Sequence, residues 1–178
     1  KSRLFRTWSP FFARHGNFTP AQLAAIPPLL DGHNVILCAA TASGKTEAAL
    51  APLVERHLPP TRNTQHVTIL YLLPTRALIA DIAHRLITPL ETLRVSLAVK
   101  TRDLDTFNPR RPADLLLTTP ESLDALLATK PKTLTHVAGV VLDELHVLDG
   151  GVRGDQLRAV LARLRQVRAY AAASCDAP

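Results

Sequence analysis

Two short segments carry residue types suited to phosphate and metal chemistry. Residues 39–46 read Ala-Ala-Thr-Ala-Ser-Gly-Lys-Thr, directly after an apolar run and at the opening of a helical pattern. They meet the phosphate-loop spacing G-x-x-x-x-G-K-[ST], except that Ala39 stands in the first glycine position. A tight turn of this kind aims the backbone N–H groups of Thr41, Ala42, Ser43 and Gly44 inward. Together with a helix N-terminus they hold the oxygens of a polyphosphate. Lys45 would supply positive charge at the β- and γ-phosphates, and the Thr46 hydroxyl would ligate Mg²⁺. Gly44 lets the backbone approach without a Cβ clash. The competing reading is an ordinary strand–turn–helix with a solvated Lys45.

The second segment is Asp143-Glu144-Leu145-His146, at the end of the apolar run Val137–Leu142. Asp143 would hold Mg²⁺ directly or through water, and Glu144 would polarise an attacking water. Taken alone, two acids after a strand equally suit a helix N-terminus with favourable dipole contacts. Coupled to the Lys45 loop, they read as the acidic half of a nucleotide-hydrolysing site. The expectation is that both segments converge on one magnesium-bound triphosphate.

The elements that must position these groups follow a repeating order. Apolar runs at Asn34–Ala39, Val67–Leu73, Val95–Val99, Leu115–Thr118 and Val137–Leu142 read as strands, and a final short run covers Tyr170–Ser174. Helical patterns cover Lys45–His57, Arg76–Ile87, Glu121–Ala128 and Asp155–Arg168. Continuous apolar runs without strict alternation fit a parallel sheet buried on both faces. Alternation of strand and helix then predicts a three-layer α/β domain with a mainly parallel central sheet. Ligands in such sheets bind beyond the carboxyl ends of the strands, where both segments fall.

The chain's 178 residues suit one globular domain, and 47% hydrophobic with 20% charged residues excludes disorder as the main state. No apolar run approaches the roughly 20 residues that span a bilayer, so no membrane role is expected. Two cysteines, Cys38 and Cys175, cannot build a disulfide framework, which points to a reducing cytoplasm. Cys38 is expected to pack inside the first strand. Seven histidines lack metal-ligand spacing. The net charge of +6 is compatible with a polyanionic partner. The chain does not begin with Met and no secretory signal precedes the first motif, as expected of a fragment or a processed chain.

The combination of Ala-Ala-Thr-Ala-Ser-Gly-Lys-Thr with Asp-Glu-Leu-His resembles the first RecA-like domain of superfamily 2 DExH helicases. Phe18-Thr19-Pro20-Ala21-Gln22 resembles the Q motif, Pro74-Thr75-Arg76 motif Ia, and Thr118-Thr119-Pro120-Glu121 motif Ib. Trp-Ser-Pro-Phe-Phe before the Q motif and Thr-Thr-Pro-Glu-Ser-Leu are most similar to the large helicase-related (Lhr-like) branch. The division this implies is an N-terminal aromatic segment with a Q-motif-like start at 1–22 and a RecA-like ATP-binding domain at 23–178.

The resemblance implies an ATP-dependent helicase or translocase that uses ATP and Mg²⁺. Gln22 would read the adenine edge, and His146 would relay from the acidic motif to motif III. Pro74, Thr75, Arg76, Thr118, Thr119, Pro120 and Glu121 would line the backbone of single-stranded or partly duplex DNA or RNA. Arg102, Arg110 and Arg111 fall in a region that borders this path in relatives. Ser174 alone matches the Ser-Ala-Thr of motif III, which couples nucleotide state to nucleic-acid grip. Ala42 stands where many relatives carry glycine, and its dihedrals are expected to be ones alanine adopts. A second RecA-like domain, for which these 178 residues hold no sequence, would supply arginines to the transition state, so the isolated domain is expected to hydrolyse ATP poorly. The alternative function is a nucleotide-gated nucleic-acid-binding or remodelling module without unwinding. A small-molecule P-loop kinase fits less well, because the segments at 74–76 and 118–122 have no place in it.

Overall fold

The computed structural model describes residues 3–59, 66–148 and 151–175. By contacts the chain divides into two compact units, one of Lys1–Arg62 with Thr88–Val95 and one of Asn63–Ile87 with Ser96–Pro178.

The first unit is helical. It holds α1 (Trp8–Phe12), α2 (Pro20–Leu30) and α3 (Lys45–His57), with α2 packed along α3 and α1 also touching α3. Phe11, Phe12, Ala25, Ile26, Leu50 and Val54 are buried. Trp8 stacks on Phe12, with ring centroids 5.7 Å apart, and meets the edge of Phe18 at 4.7 Å. These aromatics anchor the N-terminal segment. Glu55 of α3 completes the anchor, accepting from the backbone N–H groups of Arg6 at 3.1 Å and Thr7 at 2.9 Å and from the Thr7 hydroxyl at 2.8 Å. The Arg6 guanidinium donates to the carbonyls of Val54, Glu55 and Leu58, satisfying the open C-terminal end of α3.

The second unit is built on a parallel sheet of β1 (Ile69–Leu72), β2 (Leu97–Lys100), β3 (Leu115–Thr118) and β4 (Gly139–Leu142). Among the described residues its order is β2-β3-β1-β4. The register pairs Tyr71 with Leu117 on one side and with Val141 on the other. Leu70, Leu72, Ala98 and Leu116 share one core with Leu123, Leu126 and Leu127 of α5 (Pro120–Thr129). Leu157, Val160 and Leu164 of α7 (Gly151–Cys175) complete that core. Ile69, Tyr71, Leu115 and Leu117 alternate to the opposite face and are buried too, so both faces are covered, as continuous apolar strands require. Ion pairs Arg163–Asp124 and Arg153–Glu121 link α7 to α5 at the surface. At the sheet's amino end Asp114 accepts from the Ser96 N–H at 2.7 Å and hydroxyl at 2.8 Å. The remaining α-helices among the described residues are α4 (Arg76–Thr92) and the single turn α6 (Leu145–Leu148). No helix among the described residues is long and apolar enough to cross a membrane.

Two expectations are corrected. Asn34–Ala39 forms no strand and joins no ladder among the described residues; Ile36 is 85% exposed and Cys38 is exposed rather than packed. An apolar run becomes a strand only beside a partner strand, which composition does not reveal. Tyr170–Ser174 is not a separate run but the last turns of α7. Ala169, Ala171, Ala172 and Ala173 extend that helix, alanine being the strongest helix former. Of the surface loop expected at Pro59, Pro60 and Asn63, the last two lie outside the described residues.

Candidate functional site

The phosphate-loop residues are organised by the N-terminus of α2. Thr19 caps that helix: its hydroxyl accepts the Gln22 N–H, and the Gln22 carboxamide oxygen accepts the Thr19 N–H at 3.0 Å. This reciprocal capping box fixes both side chains. Their outer ends then grip the loop. The Thr19 hydroxyl donates to the Ser43 carbonyl at 2.8 Å, and Gln22 Nε2 donates to the Gly44 carbonyl at 3.3 Å. The three-residue spacing of Thr19 to Gln22 is the capping-box signature, which marks Thr19 as a helix cap but not its hold on the loop.

Gly44 is the N-cap of α3 at φ 79°, in the left-handed region, and provides no side-chain cap. The first N–H groups of α3 therefore keep their capacity for an anion. Lys45 curls back, its Nζ donating to the carbonyls of Ala39 at 2.9 Å and Ala40 at 2.8 Å. The Ser43 hydroxyl is a buried polar atom with no hydrogen-bond partner, a group that a bound oxyanion would satisfy. Thr46 is buried in the first turn and Thr41 is exposed. Ala42 departs from expectation. Its φ of 58° lies where an alanine Cβ crowds the backbone, so the loop keeps the shape a glycine would favour at a cost in strain.

In the second unit the acidic segment follows β4. The Asp143 N–H donates to the Leu72 carbonyl at 3.0 Å, which carries the ladder one residue past the strand. Its carboxylate accepts from the Tyr71 hydroxyl at 2.7 Å through Oδ2 and from the Glu144 N–H at 2.9 Å through Oδ1. Glu144 sits at φ 49°, a sparsely populated conformation of the kind that concentrates at functional sites. The His146 side chain is 76% exposed, with Nδ1 at 3.3 Å from Glu144 Oε2. The Thr46 hydroxyl in the first unit and the Asp143 carboxylate in the second are each, by chemistry, the kind of hard oxygen donor that fits Mg²⁺.

Comparison with known proteins decides the family. The DEAD/DEAH box helicase family matches residues 19–175. The chain belongs to that family. Similar curated helicases include the Lhr helicase/probable uracil glycosylase of Mycolicibacterium smegmatis, 38% identical over 93% of this chain and 12% of its own length. Another is the ATP-dependent helicase Lhr-Core of Saccharolobus solfataricus, 33% identical over 88% of this chain and 20% of its own length. Among solved structures, Mycobacterium smegmatis helicase Lhr bound to ssDNA and AMP-PNP superposes with a TM-score of 0.81 at 33% identity, covering 92% of this chain and 23% of that one. DEAD-box helicase Mss116 bound to ssRNA and UDP-BeF also reaches 0.81, at 24% identity, over 91% of this chain and 35% of its own, and so shares the fold. The 178 residues thus span only a fifth or less of these two curated relatives.

The other expected positions of this DEAD/DEAH box domain differ in accessibility. Thr75 and Arg76 are exposed after β1, with Arg76 paired to Asp103, while Pro74 is buried. Thr118 is fully buried and donates its hydroxyl to the Lys100 carbonyl at 2.7 Å. Thr119 caps α5, which begins at Pro120, and exposed Glu121 pairs with Arg153. Arg102, Arg110 and Arg111 are exposed on the loop between β2 and β3. Ser174 is exposed in α7, its hydroxyl bonded to the Tyr170 carbonyl at 2.8 Å, so it occupies a helix rather than a strand-end loop. Asp176 lies outside the described residues. Sequence alone does not single out Tyr71; the available signal is a lone phenol in an aliphatic strand, which must find a polar partner when buried.

Proposed function

We propose that this domain binds ATP with Mg²⁺ and is the first motor half of a helicase or translocase acting on single-stranded or partly duplex DNA or RNA. The observation that carries the reading is the loop at 41–46. An orphaned Ser43 hydroxyl, a left-handed Gly44 and Lys45 meet at a helix N-terminus, with the Ser43 and Gly44 carbonyls gripped by the Thr19–Gln22 capping box. Lys45 leaves the Ala39 and Ala40 carbonyls to engage the β- and γ-phosphates. Gln22 selects adenine with the second hydrogen and second lone pair that its carboxamide retains. Thr46 and Asp143 hold Mg²⁺, which when bound neutralises charge on the phosphate oxygens. Glu144 orients water, and His146 relays from it. Of the two segments expected to line the nucleic acid, Thr75, Arg76 and Glu121 are exposed and face the strand, in keeping with the ssDNA and ssRNA held by the structural neighbours. Pro74, Thr118, Thr119 and Pro120 are buried and support them from behind. Residues 1–22 form the leading segment, 23–178 the ATP-binding domain, and a second RecA-like domain completes the site in the full-length protein.

The test is nucleotide binding and turnover by full-length protein with and without single-stranded nucleic acid. Lys45→Ala is expected to weaken ATP binding; unchanged affinity contradicts the assignment. Strong nucleic-acid-stimulated hydrolysis by residues 1–178 alone would contradict the split site. A second reading, a nucleotide-gated remodelling module without unwinding, draws on Ser174, whose helical setting differs from a motif III loop. A strand-displacement assay on the full-length protein separates the two.

A further inference from the structure

Tyr71 is the one polar side chain inside β1, flanked by Leu70 and Leu72, and it is 1% exposed. Its register partner on β4 is Val141, so Asp143, two residues further, projects to the same face one step beyond the strand end. The Tyr71 hydroxyl crosses that diagonal and donates to Asp143 Oδ2 at 2.7 Å. The other oxygen, Oδ1, is held by the Glu144 N–H at 2.9 Å. One donor from β1 and one from the turn after β4 thus fix the plane of the carboxylate while each oxygen keeps a lone pair for a ligand. Phenylalanine would fill the same volume in β1, so the phenol oxygen adds little to packing. What it adds is the orientation of one carboxylate.

We propose that Tyr71 is a positioning residue that holds Asp143 in its metal-binding orientation, an inference that rests on the Mg²⁺ role given to Asp143 above. Partners that orient a metal ligand typically contribute about ten-fold or more in metal affinity. The hydroxyl reaches the metal through Asp143, so its removal should register in metal binding.

The experiment uses full-length protein, saturating ADP and Mn²⁺ as the probe, with free Mn²⁺ counted by electron paramagnetic resonance. Tyr71→Phe is expected to weaken Mn²⁺ binding about ten-fold, with the melting temperature and the ADP affinity in EDTA unmoved. Asp143→Asn is expected to weaken it at least as much, and Tyr71→Phe added to Asp143→Asn to change nothing further. Unchanged Mn²⁺ affinity in Tyr71→Phe beside a clear loss in Asp143→Asn overturns the role of Tyr71 alone. Unchanged affinity in both overturns the assignment of Asp143 itself. Additive losses in the double variant also overturn the proposal, since they mean Tyr71 acts on the fold. A second measurement does not require the Phe variant to fold. With 3-fluorotyrosine at position 71, the ¹⁹F resonance is expected to shift on Asp143→Asn and to broaden on Mn²⁺·ADP binding; a resonance indifferent to both contradicts the proposal.

Discussion

A Cβ atom placed on Gly44 would lie 2.2 Å from Nε2 of Gln22. The phosphate loop and the α2 capping box therefore approach more closely than any side chain at 44 allows, and the left-handed φ of 79° adds a backbone penalty. Gly44→Ala is expected to destabilise the protein by about 1–2 kcal/mol from the left-handed backbone alone, and to abolish ADP binding because the Gln22 grip is pushed off. Adding Gln22→Ala removes the clash but not the strain, so it should restore only part of the lost stability. Thermal melting with an ADP titration reads both effects.

Ala42 poses the opposite case. Its φ of 58° invites glycine. Relief of about 1–2 kcal/mol of Cβ strain is opposed by the greater freedom of glycine in the unfolded chain, about 0.4–1 kcal/mol. Ala42→Gly is thus expected to be neutral to about 1.6 kcal/mol stabilising with nucleotide affinity retained. Ala42→Val, with a β-branched side chain in the same conformation, should be clearly destabilising. Urea denaturation of the three forms checks the order.

Glu55 supports the N-terminal segment with one carboxylate. Its loss leaves the Thr7 donors, in a residue with no exposed surface, without an acceptor. Glu55→Ala is expected to cost about 2–3 kcal/mol and to expose the chain before α1 to proteases. Chemical denaturation and limited proteolysis measure the two consequences; an unaltered cleavage pattern would contradict the anchoring role.

The His66 and His136 rings stack with centroids 4.0 Å apart, beside the Thr135 hydroxyl and the Lys132 carbonyl. Partial desolvation and then the neighbouring His66 hold the His136 pKa below its ordinary 6.5. The unfolded chain therefore binds a proton at His136 more readily than the folded one. As pH falls below about 6.5, protons favour the unfolded state and stability declines. His136→Asn is expected to flatten the stability profile between about pH 7 and 5 while leaving stability at pH 8 little changed. Denaturation curves across that range test the sign.

How much of this was legible in the sequence depended on whether the signal was local. The helix Lys45–His57 and the strand Leu115–Thr118 appear with their expected bounds. Each has a local punctuation mark: Gly44 in the left-handed region before the first, and the Thr119–Pro120 cap after the second. Asn34–Ala39 has equally strand-like residues, yet a ladder needs a neighbour that the run itself does not specify. Roles that hang on distant contacts were hidden for the same reason. Gln22 was expected to face adenine, and its hold on Gly44 depends on how α2 meets the loop. Tyr71 acquires a partner 72 residues away only through the register of β1 with β4. The left-handed φ of Ala42 and Glu144 is a conformation that their residue types disfavour, so composition pointed the other way.

The function proposed above requires the loop around Lys45 and the acidic segment at Asp143 to serve one and the same metal–nucleotide. Replacing Mg²⁺ with Fe²⁺ in the full-length protein and generating hydroxyl radicals with ascorbate and peroxide cuts the backbone beside the bound metal. With ATP present, cleavage is expected at both 43–46 and 142–145, and it should vanish in Asp143→Asn. Cleavage confined to one of the two segments, or cuts that persist without nucleotide, would contradict a shared site.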